Sequence, residues 1–378
     1  MKTKVLIFVS WFEPGFKAGG PITSNVNIVN NLADKFDFFV ITSSHDYHAD
    51  KPYEGIEENK WVDRGCAKVM YLAPEHSGFS ELKAAAKAAA CEVWYVNGIY
   101  DPTYSIMPLV LSKLLKPKKV IISARGMLSP QAFGTKVWLK NLLIRLFRYS
   151  LYKRTIFHAT NTEESGFIKK KLGNSVEVFV AENLPRKFDE HEIEYTKRPK
   201  SLKLVSFARI SSEKNTLFAI QALAKCKENI TYDIYGQING DDYWNECRQA
   251  IDALPSNVHV EYKGAVAPSQ LASLYQKYDM MYLPTTGENF GHAIMESFLN
   301  GRPVIISDRT PWLELEAKGV GWSLPLDMGI FTKIIDMAAS LSTDEYMQMS
   351  AKVTRFVACY LEKEGKGAVD KHVKMLSI

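Results

Sequence analysis

Two glutamates flank a glycine-containing turn in residues 284–296, which read PTTGENFGHAIME. An apolar run typical of a β-strand precedes this segment, and the apolar spacing after it predicts a helix. Glu288 then falls in the loop, and Glu296 falls one to two turns inside the helix. The N–H groups that open such a helix favour a phosphate, because the helix dipole is positive there. The residues expected to present them are Asn289, Phe290, Gly291 and His292.

Each glutamate also has an ordinary explanation. Glu288 can simply complement the helix dipole, and Glu296 can be a solvated surface acid. Two glutamates with seven residues between them, joined by a strand-to-helix turn, are harder to explain in this way. The pattern therefore predicts a site for a phosphate-bearing ligand.

A second candidate cluster lies in residues 207–215, which read FARISSEKN and follow another predicted strand. Arg209 and Lys214 leave the strand end from one short loop. Both side chains can bind one diphosphate, arginine through its planar guanidinium and lysine through its compact ammonium charge. Solvation is the default for a single basic loop residue, but the pairing at a strand end favours phosphate binding.

A glycine pair, Gly19 and Gly20, follows the first predicted strand and precedes Pro21. Glycines permit positive φ and a close approach of backbone to ligand, and proline suits the first turn of a helix. A plain tight turn explains the pair equally well. The spacing is not the G-x-G-x-x-G of a dinucleotide site, so no nicotinamide or flavin cofactor is indicated.

The elements that position these motifs are short apolar runs that alternate with helical patterns, which is typical of parallel βαβ units. Predicted strands of the first half cover residues 5–9, 38–42, 69–72, 93–96, 120–123, 155–159 and 176–180. Those of the second half cover residues 202–208, 231–235, 258–262, 280–283 and 304–307. Ligands of open parallel sheets bind beyond the carboxyl ends of the strands, and all three motifs fall there.

The chain of 378 residues is too long for one hydrophobic core and suits two domains. Residues 186–201 are polar and have no apolar period, which is typical of a linker. We therefore expect an α/β protein with two doubly wound, Rossmann-like domains, at 1–185 and 202–356, that face a cleft. The last helix, from about 357 to 378, is expected to pack back on the first domain.

Composition narrows the class of protein. With 46% hydrophobic and 24% charged residues, neither disorder nor a fibrous repeat fits. The apolar run at residues 5–9 is better explained as a strand than as a signal peptide. Five scattered cysteines favour reduced thiols in a cytoplasm over a zinc site or disulfide framework. A net charge of +5 argues against nucleic acid as the main partner.

The three motifs together resemble those of the retaining nucleotide-sugar glycosyltransferases of family 4, which have the GT-B fold. The resemblance covers most of the chain and is strongest over residues 204–325. It implies transfer of a sugar from a UDP- or GDP-sugar to a glycan or lipid-linked glycan acceptor. It also implies that Glu296 binds the ribose hydroxyls and that Glu288 contacts the transferred sugar.

The same resemblance assigns the other motifs. Arg209 and Lys214 match the basic pair that neutralises the donor diphosphate, and Gly19 and Gly20 match the loop beside it. With these cations present and no Asp-x-Asp triplet in the chain, we expect no metal and no other cofactor.

Two further segments, 123–128 (SARGML) and 307–312 (SDRTPW), are similar to those of a bacterial subgroup that builds surface polysaccharides. Many members of the family have His-Gly near the position of Arg125 and Gly126. Because this chain has arginine there, the role of that histidine does not carry over. We include Arg125 among the catalytic candidates, in contact with phosphate or acceptor.

Some signals favour simpler explanations. His45, Asp46 and His48 have a spacing that can bind metal, but a polar surface loop is the better interpretation. His158, at a strand end, fits a satisfied core histidine. Residues 136–154 form a basic and apolar helical pattern that can lie on an anionic membrane at the cytoplasmic face. The alternative is packing on the first sheet, with the basic side chains extended outward.

Two rival functions remain open from the sequence. One is another enzyme on the same fold, such as a nucleotide-sugar epimerase or a phosphorylase. The other is a protein that binds sugar nucleotides without chemistry.

Overall fold

The structure is a computed structural model that divides into two compact units, Met1–Lys187 with Gly365–Ile378, and Phe188–Glu364. It describes residues 2–129, 137–148, 150–187, 193 and 197–378. Residues 188–192 and 194–196 of the predicted linker lie outside the described residues. The first strand of the second unit begins at Ser201, the last residue of that predicted linker.

The described part of the first unit has one eight-stranded sheet, ordered β3-β4-β2-β1-β5-β6-β7-β8. Its strands are β1 (Thr3–Phe8), β2 (Phe36–Ser43), β3 (Trp61–Asp63), β4 (Ala67–Leu72), β5 (Val93–Asn97), β6 (Lys119–Ser123), β7 (Ile156–Ala159) and β8 (Glu177–Val180). The strands pair in parallel except β3, which runs antiparallel to β4. The sequence pattern missed β3 because its three residues are too few to show a period.

The second unit has a six-stranded parallel sheet, ordered β11-β10-β9-β12-β13-β14. Its strands are β9 (Ser201–Phe207), β10 (Asn229–Tyr235), β11 (Val258–Gly264), β12 (Met280–Leu283), β13 (Val304–Ser307) and β14 (Gly321–Leu324). The edge strand β14 was not predicted, because Gly321 and Ser323 weaken its β pattern.

Helices cover the faces of both sheets, as expected for strands that are buried on both sides. They are α1 (Gly20–Leu32), α2 (Phe79–Ala89), α3 (Met107–Leu115), α4 (Val137–Arg148), α5 (Thr162–Leu172), α6 (Thr216–Leu223), α7 (Asp241–Asp252), α8 (Leu271–Tyr275), α9 (His292–Leu299), α10 (Leu315–Lys318), α11 (Met328–Ser340), α12 (Thr343–Tyr360) and α13 (Lys366–Leu376). Among the described residues, no helix is both long enough and apolar enough to cross a membrane.

The C-terminal helix α13 belongs to the first unit. Ala368, Met375 and Leu376 join a buried apolar cluster with residues of β1, β2 and α1. The helix before it, α12, packs in the second unit, where Val353 and Val357 contact the cluster around α9. The chain therefore returns to its first unit at its end.

Candidate functional site

The loops after the neighbouring strands β9 and β12 are tied together by hydrogen bonds. The Glu213 carbonyl oxygen accepts from the Thr286 backbone N–H at 2.9 Å and from the hydroxyls of Thr285 and Thr286 at 3.1 and 3.0 Å. The Asn215 side-chain amide donates to the Pro284 carbonyl oxygen at 3.0 Å. Two motifs that are far apart in the sequence therefore form one site at the carboxyl ends of these strands.

An ion pair joins the two motifs directly. Lys214 Nζ donates to Glu288 Oε1 at 2.6 Å, and each side chain is only 14% exposed. Arg209 Nη2 lies 3.6 Å from Glu213 Oε2, and Lys214 Nζ lies 3.7 Å from Glu213 Oε1. The Glu288 backbone N–H donates to the Arg309 carbonyl oxygen at 3.0 Å, which anchors the loop. Both cations are thus positioned beside acids before any substrate is bound.

Helix α9 begins at this cluster. Gly291 precedes it with φ 77°, in the left-handed region that favours glycine, and a Cβ there would lie 2.8 Å from Ile294 Cδ1. Phe290 is buried against Trp312, whose indole N–H donates to the Phe290 carbonyl oxygen at 2.5 Å. Gly291 makes no side-chain hydrogen bond to the first turn of the helix, and the positive end of the helix dipole lies there.

Glu296 lies in the second turn of α9 and is 8% exposed. The alternative that it is a solvated surface acid is therefore wrong. A carboxylate removed from water in this way is stabilised by hydrogen-bond donors. Its place on the helix that starts at the cluster fits a donor-binding residue better than a surface one.

The glycine pair of the first unit lies at the start of α1. Gly19 has φ 69°, and Gly20 is the first helical residue. A Cβ on Gly20 would meet no protein atom within 4 Å, so packing within the chain does not demand glycine there. Asp46 Oδ2 accepts from the backbone N–H groups of Phe16 and Lys17 at 2.9 and 3.2 Å and so holds this loop.

The polar loop that contains Asp46 was predicted to be a surface loop in preference to a metal site. Within the described ranges, no group of three or more His, Cys, Asp or Glu side chains could hold a metal ion. The Asp46 carboxylate is instead used by the backbone of the glycine loop and by the Tyr47 N–H.

Arg125 lies after β6 in the first unit, with φ 51°. Its guanidinium donates to Asn97 Oδ1 at 2.9 Å, to Asn183 Oδ1 at 2.7 Å and to the Tyr95 hydroxyl at 3.2 Å. None of these three partners was predicted from the sequence. Asn97 ends β5 and Asn183 comes shortly after β8, so the rule that ligand residues follow strands could have found both.

His158 is fully buried, with both ring nitrogens hydrogen-bonded to the Tyr95 hydroxyl and the Ala181 carbonyl oxygen. Burial holds its pKa well below the usual range. His158 is therefore a satisfied core histidine, as the sequence indicated.

Comparison with known proteins identifies relatives of this chain. Residues 187–327 match the family model Glycosyl transferases group 1. The UDP-N-acetylglucosamine–peptide N-acetylglucosaminyltransferase GtfA subunit of Streptococcus parasanguinis is 28% identical over 109 residues, which are 28% of this chain and 20% of that relative. The alpha-monoglucosyldiacylglycerol synthase of Streptococcus pneumoniae is 30% identical over 105 residues, 27% of this chain and 23% of that relative.

Among solved structures, Anabaena HepE in complex with UDP and glucose superposes with a TM-score of 0.70 at 17% identity, covering 99% of this chain and 98% of HepE. The two α/β units with parallel sheets therefore have the GT-B fold. The family match shows that residues 187–327 are similar to the glycosyl transferases of group 1. The matched segment spans only about a fifth of the length of the curated relatives.

Proposed function

We propose that this protein is a retaining glycosyltransferase that moves a sugar from a UDP- or GDP-sugar to a glycan or lipid-linked glycan acceptor in polysaccharide biosynthesis in the cytoplasm. The observation that carries the proposal is the Lys214–Glu288 pair beside Arg209, at the start of α9. Two cations and the start of a helix are groups that favour a diphosphate, and this supports the proposal.

The chemistry follows from where charge develops. As the sugar leaves, the nucleoside diphosphate gains negative charge, and groups fixed in advance stabilise that charge best. Arg209 and Lys214 supply two positive charges from a loop that is anchored to the sheet. We therefore propose that no divalent metal is needed. Retention of configuration is proposed from the family resemblance alone.

The names of the relatives guide the choice of substrates. GtfA is named for UDP-N-acetylglucosamine, and HepE was solved with UDP and glucose. UDP, UDP-glucose and UDP-N-acetylglucosamine are thus the first donors to test, with GDP and its sugars in the same panel. Transfer to an acceptor separates the proposal from its rivals. Epimerised or phosphorolysed sugar alone, or tight binding with no turnover, would favour those rivals.

Glu296→Ala is expected to weaken binding of the free nucleoside diphosphate by roughly 1.5–3 kcal/mol, because both ribose hydroxyls lose a charged acceptor. Calorimetric titration with the preferred nucleotide measures the change. Glu316→Ala, which removes an exposed acid of the same unit, is the matched control and should bind normally. Unchanged affinity in a folded Glu296→Ala protein would exclude the ribose assignment.

Helix α4 supports a second proposal, peripheral contact with an anionic membrane. Ile144 is buried in the core of the first unit, whereas Leu142 and Leu146 are 45% and 58% exposed beside Arg145. Lys136 and Tyr149 of the predicted segment lie outside the described residues. Packing therefore accounts for one side of the helix and leaves two leucines and a cation at the surface.

We expect weak binding to phosphatidylglycerol vesicles that falls with salt, because screening shortens the attraction to about 10 Å at 0.1 M. Arg145→Gln with Leu146→Ser should reduce flotation with these vesicles. Leu313→Ser changes an equally exposed leucine of the other unit and should have no effect. If wild-type protein fails to float even at low salt, α4 has only a packing role.

A further inference from the structure

A cation held only by neutral partners lies at the carboxyl ends of the strands in the first unit. The half-buried Arg125 guanidinium donates to Asn97, Asn183 and Tyr95. These bonds use three of its five N–H donors and neutralise none of its charge. Charges removed from water are normally paired with an opposite charge or a ligand. Among the described residues, none of the hydrogen-bond partners of this guanidinium is an acid.

The nearby carboxylate of Glu164 has other partners. This buried acid accepts from the Gly126 backbone N–H at 2.6 Å and from the backbone N–H and hydroxyl of Thr160, both at 2.7 Å. Glu164 therefore fixes the turn that carries Arg125 instead of pairing with its guanidinium.

The turn itself is unfavourable without such support. The Met127 N–H donates to the Ala124 carbonyl oxygen at 3.0 Å, and between them Arg125 and Gly126 have φ 51° and 73°. Glycine tolerates this left-handed region, but an arginine is disfavoured there. Such conformations persist where the surroundings impose them, and they are concentrated at ligand sites.

The two asparagines add further donors. Because a guanidinium can only donate, Asn97 and Asn183 must both turn Oδ1 toward Arg125, which leaves their NH₂ groups for other partners. Asn97 Oδ1 also accepts from Asn25 Nδ2 at 3.1 Å, so two hydrogen bonds fix the orientation of the Asn97 amide. Asn97 and Asn183 are 7% and 8% exposed, and in the part of the chain that the structure describes neither Nδ2 donates to a protein acceptor.

The groups behind the guanidinium are also neutral. His158 Nε2 must donate to the Ala181 carbonyl oxygen, so Nδ1 accepts from the Tyr95 hydroxyl, whose oxygen accepts from Arg125. The ring of His372, on α13, packs edge-on against His158, and burial lowers the pKa of His372 to about 4. Both histidines are therefore uncharged at neutral pH and supply no counter-charge.

We propose that Arg125, Asn97 and Asn183 form a binding site for an anionic group of the acceptor, a carboxylate or a phosphate. The proposal rests on the proposed function, because it assumes an acceptor. Two remaining guanidinium N–H groups and two amide NH₂ groups offer only donors, which suit oxygens of one anion and disfavour a neutral sugar hydroxyl that must also donate. Arg125, Asn97 and Asn183 belong to the first unit, whereas Arg209 and Lys214 belong to the second.

The test measures binding of simple anions to the full chain saturated with UDP, so that the donor site is occupied. Ligand-detected NMR with glucuronate and with inorganic phosphate should show binding, whereas neutral glucose should not bind. Asn183→Asp is nearly isosteric and puts a carboxylate beside Arg125. It should therefore lower the affinity for both anions at least about 10-fold. Asn174→Asp adds the same charge at an exposed position of the first unit and should bind as wild type does.

Three results would overturn the proposal. They are wild-type protein that binds neither anion, folded Asn183→Asp and Arg125→Gln proteins that bind both as wild type does, and lost affinity for UDP in Arg125→Gln. Arg125→Gln also separates two sources of the anion. Normal affinity for UDP assigns the site to the acceptor, and lost affinity for UDP would assign it to the donor diphosphate and reject our inference. These measurements need no turnover, so missing sugar transfer with intact anion binding would reject only the proposed function.

Discussion

Lys214→Met is expected to lower turnover by about 10²–10³-fold, the usual loss when one preorganised donor is removed from a developing anion. Lys214 Nζ is held 2.6 Å from Glu288 Oε1 in a largely buried pair, so its position is set before substrate arrives. Methionine keeps the apolar stem but removes the charge that the departing diphosphate needs. Affinity for UDP should fall as well, because UDP presents the same diphosphate.

Steady-state rates with the donor found in the panel measure this effect. Lys333→Met removes an exposed lysine from α11 of the same unit and is the matched control. If Arg209 and Lys214 supply the positive charge that a metal would otherwise supply, initial rates should be equal in EDTA and in added Mg²⁺ or Mn²⁺. Complete, metal-reversible loss of activity in EDTA would refute the mechanism, as would wild-type turnover in Lys214→Met.

Glu288→Gln should also lose turnover, on the order of 10²-fold, but with the opposite effect on the free nucleotide. The Glu288 carboxylate competes with a diphosphate for Lys214, because the two side chains form an ion pair. Removal of that negative charge should leave affinity for UDP unchanged or raise it. The loss should therefore fall on sugar transfer, for which we propose a contact between Glu288 and the transferred sugar.

The sign of the change in UDP affinity distinguishes the two residues. Calorimetry should show weaker binding for Lys214→Met and equal or tighter binding for Glu288→Gln. Glu246→Gln, at an exposed position of α7, controls for the loss of one negative charge in the same unit. Equal losses of UDP affinity in both variants would contradict the division of roles between the cation and the acid.

The hydrophobic pattern of the sequence was sufficient to predict most strands of the two sheets. Twelve strands were predicted, and each predicted range overlaps a strand of the structure. The two strands that it missed, β3 and β14, lie at sheet edges and have three and four residues. Both have a weak β pattern in the sequence, so pairing with a neighbouring strand decides their conformation.

The candidate donor site was also proposed from spacing. We predicted a site at Arg209, Lys214 and Glu288 because each follows a strand of a parallel sheet, where such residues meet. The sequence pattern did not show which of these side chains form an ion pair. That Lys214 takes Glu288 as its partner depends on the adjacency of β9 and β12, two strands that are not consecutive in the chain.

The sequence by itself determined the fold class and the residues of the donor motif, because hydrophobic period and strand-end position are local properties. Only the tertiary structure decided the environment of Arg125. Its partners Asn97 and Asn183 are separated by 86 residues, and His372 reaches the cluster from the last helix. No local pattern encodes such a neighbourhood, because burial and hydrogen-bond partners are set by which strands and helices become neighbours in space.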